Sequence, residues 1–372
     1  MNENETKITY KNSGVDYSSI DPFKIMAQKS AFDTKNNIVN FADGTFTEYT
    51  PSRGESVYLV ENKDSYIAHV EEGLGTKNLI ADEMYKLTGK SYYDQIAKDT
   101  VAMIVNDMIT MGALPLSVAM HLAVGDSNWF NDTKRCQDLV DGWNKACDLS
   151  RCVWGGGETP TLKGIISGDA SLLSGSAVGI VYPKEKLITS KISHGDSIVI
   201  IESSGIHANG LTLARFIKDK LPDGYMTKLS DGRTYGETLL DPTHIYVPLV
   251  ADCLVANIDI HYALNVTGHG WRKLMRSNQE FTYVIDRLPT NLPIFDFICE
   301  HGNIDKKEAY GNFNMGAGFV LYVDKDDAQK VIDIASKLGF VSFVAGSVKA
   351  GDKKIIIEPH NIEFAGDTLK VR

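Results

Sequence analysis

The sequence predicts a mixed α/β protein built as two domains. Three observations carry that expectation. Strand-like and helix-like segments alternate in both halves of the chain. At 372 residues there is room for two domains of ordinary size. A charged stretch at 183–195, PKEKLITSKISHG, separates the halves and reads as a connection and not as core. The expected division is an arm over 1–54, an N-terminal domain over 55–184 and a C-terminal α/β domain over 185–372.

Residues 1–54 are polar and rich in Asn, Lys and Thr, with a short helical patch at 21–29, and read as an arm or lid. SVYLVE reads as a strand, and SYIAHVEE as a second strand ending in carboxylates. A helix is expected near 77–88, then a long apolar helix from Asp99. LPLSVAMHLAV is the next strand. The segment 131–148 has helical spacing, with Cys136, Leu139, Val140, Trp143 and Ala146 on one face. CVWGGGETP reads as a short strand running into a glycine-rich turn, and SLLSGSAVGIVY as another strand. In the second half, the buried strand DSIVIIESS leads into HANGLTLARFIKDKL. That helix has Leu211, Leu213, Ala214, Phe216 and Ile217 as its core face. The stretch 318–349 reads as strand, helix, strand, with N-caps from Asp324–Asp327 and a C-cap at Gly339.

Composition narrows the partners. An apolar fraction of 43% fits a globular protein with a real core. A net charge of −10 argues against nucleic acid and anionic membrane, which both want a basic face. Phosphorylated small molecules stay compatible, because backbone N–H groups and a few cations bind them. The five cysteines are odd in number and scattered, with no C-x-x-C. That pattern fits a reducing compartment and gives no support to a zinc site or disulfide framework. The polar start MNENETKITYKNSG lacks the apolar core of a signal peptide, and no apolar run is long enough to span a bilayer. A soluble cytoplasmic protein is expected.

The stretch DTVAMIVNDMITMGALPL, 99–116, is the most informative. On a helix, Asp99, Met103, Asn106 and Asp107 share one face. Buried carboxylates are costly unless paired or bound to metal. The plainer alternative is Asp99 as an N-cap with Asn106 and Asp107 touching solvent. Glu71-Glu72-Gly73-Leu74-Gly75-Thr76-Lys77 offers acids for Mg²⁺, glycines for phosphate approach and a cation, without P-loop spacing; a solvated hairpin turn is its alternative. Gly155-Gly156-Gly157-Glu158-Thr159 suggests a close approach to backbone, or a tight loop. Ser203–Gly210, SSGIHANG, joins a strand to a helix and offers anion donors and a titratable His207, or merely caps the helix. Thr267-Gly268-His269-Gly270 and Asn312–Gly318 are two weaker glycine-rich breaks. Nucleophile-elbow, H-E-x-x-H, GxGxxG and EF-hand patterns are absent from the sequence.

YKNSGVD (10–16), EEGLGTK, the D-x-x-x-x-G-A-x-P run at 107–115, GGGET, SSGIHANG, LLDPTHIYV (239–247), VTGHG and FNMGAGF occur in the order found in aminoimidazole ribonucleotide synthetase. The chain resembles that family, also called phosphoribosylformylglycinamidine cyclo-ligase, from Tyr10 to about Lys349. The resemblance implies a two-domain ATP-dependent synthetase fold. The N-terminal sheets of two protomers would form a dimeric barrel core, and each C-terminal domain would be α/β. It implies ATP and Mg²⁺ as cofactors, a small phosphorylated substrate and a homodimer. The implied reaction closes formylglycinamidine ribonucleotide to aminoimidazole ribonucleotide. Carried over position by position, Glu72 and Asp107 are metal-side acids. Lys11, Gly73, Gly75, Thr76, Lys77, Asn106, Gly156, Gly157, Ser204 and Asn209 bind nucleotide or substrate. Asp107, Glu158 and His207 are the catalytic candidates.

Four departures from the family pattern stand out. Glu71-Glu72 replace Thr-Asp, and His269 replaces a glycine. The segment 43–54 keeps only Gly44 and Gly54 of a glycine-rich ATP cover, and 160–164 reads Pro-Thr-Leu-Lys-Gly where Glu-Met-Pro-Gly is usual. They leave open a divergent superfamily enzyme acting on another phosphorylated amine or amide, and a non-catalytic nucleotide-binding homologue.

Overall fold

The computed structural model describes residues 17–39 and 44–369. Lys11 and the YKNSGVD segment lie outside the described residues. Among those described, no helix is long and apolar enough to cross a membrane.

The first half comprises α1 (Tyr17–Phe32), β1 (Thr47–Glu48), β2 (Tyr58–Glu61), β3 (Tyr66–Gly73), α2 (Lys77–Thr88), α3 (Tyr93–Met108), β4 (Leu114–Val124), α4 (Thr133–Leu149), β5 (Val153–Glu158) and β6 (Ser171–Val181). Its six strands form one sheet in the order β1-β2-β3-β6-β4-β5. All pairs are antiparallel except β4 with β5. Strand β6 alternates strictly: Leu173, Gly175, Ala177, Gly179 and Val181 are buried, while Leu172 and Val178 are exposed. Helices α3 and α4 pack on the buried face. Two glycines let α3 lie that close. A Cβ at Gly179 would stand 2.3 Å from Met108 Sδ, and one at Gly175 would stand 3.0 Å from Ile104 Cδ1.

Helix α3 begins at Tyr93, so Asp99 is not its N-cap. Asp99 is fully buried and paired with Lys77 at 2.8 Å. Its other oxygen accepts from the backbone N (2.8 Å) and the hydroxyl of Thr243. These partners satisfy a buried charge, so of the two readings the sequence left open the structure holds the paired carboxylate and not the cap. The D-x-x-x-x-G-A-x-P run is the turn from α3 into β4. Thr110 Oγ1 donates to Asp107 O (2.7 Å), and Gly112 takes φ 80° where a Cβ would stand 2.4 Å from Lys186 O. The three glycines after Trp154 lie inside β5, not in a turn. A Cβ on Gly155 would stand 2.0 Å from Ser117 Oγ, and one on Gly157 would stand 2.2 Å from Met120 O. The close approach they permit is therefore that of β4 across a slipped register between Val118 and Ala119.

The second half runs through β7 (Ser197–Glu202), α5 (Leu211–Lys218), α6 (Tyr235–Leu239), α7 (Val247–Val255), β8 (Ile260–Asn265), β9 (Phe281–Ile285), α8 (Pro293–Gly302), α9 (Lys306–Asn312), β10 (Ala317–Val323), α10 (Ala328–Lys337), β11 (Ser342–Ala350), β12 (Lys354–Ile357) and β13 (Ile362–Ala365). Its seven strands order as β13-β12-β9-β11-β7-β10-β8. Every residue of β10 is buried, because both faces of this sheet are covered. Phe216 on α5 and Val140 on α4 point outward, against expectation; the remaining faces of each helix already supply its packing. Gly339 takes φ 81° just past α10. Asp327 occupies the N-cap position of α10, but its carboxylate accepts from Lys330 and not from backbone.

The two halves are joined through α2 and α3. Lys77, on α2, donates to His207 O (3.0 Å) and Asp241 O (2.8 Å) besides pairing with Asp99. Asn106 donates to His244 O (2.7 Å) and accepts from Tyr246 N (2.9 Å). Removing one member of a fully buried pair leaves the other charge uncompensated. Lys77→Met or Asp99→Leu alone is therefore expected to cost ~3–5 kcal/mol in urea unfolding, and the double substitution less than the sum. Additive losses would mean the two charges are stabilised independently.

Candidate functional site

A cavity of about 370 Å³ lies where the two halves meet. The first half contributes Lys24 and Gln28 from α1, Gly54–Ser56 from the loop before β2, Glu72 from β3 and Asp107 from α3. The second half contributes Thr267, Gly268 and His269 from the loop after β8, then Lys273 and Arg276 from the helical turn that follows. Glu72 is there because a strand alternates: it shares the face of Tyr66, Ala68 and Val70, at the strand end. Asp107 is there because it occupies the last turn of an α3 that the sheet holds in place.

The walls are cross-linked by polar contacts. Asn265 Nδ2 donates to Asp107 Oδ1 (2.8 Å). Lys273 Nζ donates to the backbone O of the same Asn265 (3.2 Å) and to Thr267 Oγ1. Arg276 donates to Ser56 Oγ (2.9 Å) and Gly54 O (2.6 Å), and sits 3.8 Å from Glu55. Tyr262 OH donates to Glu55 (2.9 Å).

Electrostatics follow from this arrangement. Burial, with the neighbouring Asp107 charge, pushes the Glu72 carboxyl up to about 7, against the pull of Lys273. Burial brings the Lys273 ammonium down to about 8, although Asp107 and Glu72 favour its charged form. His269 is brought down to about 4 by burial and by Arg272, Lys273, Lys24 and Arg276, so its imidazole is neutral at pH 7. Two carboxylates under mutual repulsion face a group of cations. That donor set suits a polyphosphate with its divalent ion. Mg²⁺ ordinarily takes one or two carboxylates plus phosphate oxygens and water. A dedicated all-protein cage is not built: among the described residues no cluster of three or more His, Cys, Asp or Glu could hold a metal. Glu72 and Asp107 are the residues that fit the ion.

Of the residues singled out from sequence, the cavity gathers Glu72, Asp107, Thr267, Gly268 and His269. Lys77 is elsewhere, itself buried and spent on three partners, Asp99, His207 O and Asp241 O. Asn106 clamps the 244–246 backbone. Gly73 closes β3; Gly75 takes φ 77° in the turn before α2, and Thr76 is the N-cap residue of α2, 3.4 Å from Thr212. His207 is not an exposed donor. It is buried at φ 62°, and its Nε2 accepts from Ser204 N (3.3 Å). Burial holds it well below the usual imidazole range, with His244 and Lys77 adding to the effect. Ser204 Oγ donates to Pro242 O (2.6 Å), and Asn209 is half-buried in the same loop. Gly156, Gly157 and Glu158 lie on the exposed edge strand β5, outside the cavity lining. Sequence reasoning missed Lys24, Glu55, Lys273 and Arg276. The available signal was the basic turn WRKLMR directly after Thr267–Gly270.

The chain matches both domains of the AIR synthase related proteins. Residues 55–181 match their N-terminal domain and residues 193–358 their C-terminal domain. The chain belongs to the phosphoribosylformylglycinamidine cyclo-ligase family. It is 34% identical over 344 residues to the Methanococcus maripaludis strain C5 cyclo-ligase, covering 92% of each chain. It is 37% identical over 344 residues to the Methanocaldococcus jannaschii cyclo-ligase, again 92% of each. With the Pseudothermotoga lettingae cyclo-ligase it shares 34% over 362 residues, 94% of this chain and 99% of that one. Solved structures share the fold at low identity. HypE in its complex with HypF gives a TM-score of 0.59 at 19% identity, covering 87% of this chain and 96% of that one. AaThiL complexed with AMPPCP and TMP gives 0.57 at 15%, covering 84% and 90%. T. maritima PurL complexed with ATP gives 0.56 at 14%, covering 86% and 48%.

Glu72 yields a pH signature. Its folded-state value, about 7, lies above the ordinary 4.5, so folding favours its protonated form. That stabilisation is fully present below pH 4.5 and is lost as pH rises through 7. In metal-free buffer the melting temperature is expected to carry a falling component across that window, and Glu72→Gln to remove it. An identical pH slope in the variant would show that Glu72 titrates normally.

Proposed function

We propose that this chain closes the imidazole ring of formylglycinamidine ribonucleotide, using ATP and Mg²⁺ in the cytoplasm and releasing aminoimidazole ribonucleotide, ADP and phosphate. The observation that carries the reading is identity to cyclo-ligases along 92% of the chain. The cavity supplies matching chemistry. The γ-phosphoryl group of ATP passes to the formyl oxygen of the substrate, turning a poor leaving group into phosphate. The amidine nitrogen then attacks that carbon, and phosphate departs with the oxygen. Little of this needs a protein nucleophile; it needs alignment and neutralised charge.

In this reading Glu72 and Asp107 would hold the magnesium ion, which when bound would draw charge from the phosphoryl oxygens. Lys273, Lys24 and Arg276 face the polyphosphate, and Asn265 orients both Asp107 and Lys273. His269, neutral at pH 7, adds a hydrogen-bonding group without adding charge. His207 positions the Ser204–Asn209 loop from within the core. Glu158 with Gly156 and Gly157 belongs to the sheet edge. Residues 55–184 and 185–372 are the two domains.

The protomer pairs as a homodimer through the face of the first sheet that α3 and α4 leave uncovered. Leu116, Val153, Leu172 and Val178 are 47–62% exposed, and Val178, Ser117 and Val153 lie in one cross-strand row. Such a concentration of apolar side chains marks an interface.

Two experiments test these statements. Purified protein with Mg²⁺-ATP is expected to release ADP only when formylglycinamidine ribonucleotide is present, with matching aminoimidazole. Asp107→Asn is expected to lower kcat/KM by about a hundredfold or more while the circular dichroism stays unchanged. ADP release without aminoimidazole would redirect the reading to another acceptor. In sedimentation, Val178→Asp is expected to convert dimer to monomer; an unchanged dimer would place the interface elsewhere.

A further inference from the structure

Helix α4 ends in a Schellman arrangement. Cys152 N donates to Cys147 O (3.1 Å), Arg151 N donates to Asp148 O (3.0 Å), and Arg151 takes the left-handed conformation at φ 55°. This motif brings the side chain just past the helix against one in its last turn, usually as an apolar contact. Here both side chains are cysteines, and both are free thiols. The backbone bond between them holds their Cα atoms at a separation of the order a disulfide needs, about 4.4–6.8 Å. Cys147 is buried and Cys152 is half-buried, so a small reagent meets Cys152 first.

The electrostatics agree with that geometry. The two side chains lie close enough to perturb each other, and Cys152 together with burial raises the Cys147 thiol. Its neighbour Cys147 in turn holds Cys152 below the usual thiol range, against the effect of burial. The other three cysteines are placed differently. Cys136 donates to Phe130 O (3.6 Å). Burial pushes Cys253 up to about 12 and Cys299 up to about 11.

We infer that Cys147 and Cys152 are a reactive dithiol, a site of reversible modification that closes to an intramolecular disulfide by exchange with low-molecular-weight disulfides. The Cys152 thiolate attacks one sulfur of the small disulfide, forming a mixed disulfide and releasing one thiolate, which takes up the proton Cys152 gave. Cys147 then loses its proton and attacks Cys152 Sγ, closing the protein disulfide and releasing the second small thiol. One small disulfide is reduced to two thiols as two protein thiols are oxidised. The closed bond fastens the end of α4 to the start of β5, the edge strand that carries Gly155–Glu158.

The test incubates the full-length protein with oxidised glutathione and follows its intact mass. The expected result is a loss of two hydrogens with no retained glutathione, reversed by dithiothreitol, with the bond mapped to one peptide holding Cys147 and Cys152. Cys147→Ser is expected to stop at a stable glutathione adduct on Cys152, and Cys152→Ser to show neither product at this site. Three wild-type results would each overturn the inference: a persistent adduct on Cys152, a disulfide involving Cys136, Cys253 or Cys299, or no reaction where the urea-unfolded chain reacts. The wild-type arm decides alone, so a variant that folds poorly does not shelter the inference.

Discussion

Much of this molecule hangs on one buried ion pair. Lys77 and Asp99 sit with no solvent contact, and their remaining hydrogen-bonding capacity goes to Thr243, His207 O and Asp241 O. Every one of those acceptors and donors belongs to the other half of the chain. A buried charge tolerates little error in its partners, so the pair fixes the relative position of α2, α3 and the 241–246 backbone. Asn106 repeats the grip two turns along α3. The cavity follows, because Asp107 is the next residue on the same helix and its opposite wall follows strand β8.

The fold was largely legible in the sequence because its strongest signals are local. The alternation in SLLSGSAVGIV and the helical spacing of KNLIADEMYKLT both come from the immediate period of burial, and both elements form as expected. What spacing left open or misassigned shares one cause. Asp99 reads equally as a paired buried carboxylate or as a helix cap until Lys77, twenty-two residues earlier, is seen to pair with it. Gly155–Gly157 resemble a ligand loop until Ser117 and Met120 are found against them. In each case the residue answers a partner that is distant in sequence, and spacing alone does not name partners.

The site divides along the same line. Glu72 and Asp107 were visible because short motifs carry them. Lys273 and Arg276 were not, since their role depends on how the turn after β8 meets the first half. Lys77 shows the converse. A lysine following G-x-G-T looks like a phosphate ligand, but here its three protons are already engaged in holding the halves together. His207 similarly trades an expected solvent-facing role for an internal one, with its ring lone pair closing its own loop.

The ion pair also bears on how such a chain can be recombined. A cut between the two sheets at 183–195 looks harmless, since few core residues lie there, yet the interlocking contacts run from α2 and α3 into the 207 and 241–246 segments. A chimera joining this first half to a second half from a relative would inherit Lys77 and Asp99 without assurance of a carbonyl at 207, a carbonyl at 241 and a hydroxyl at 243 in the same places. The halves are exchangeable as sequences only in company with those three receptors, so the natural unit of inheritance is the pair of halves and not either sheet by itself.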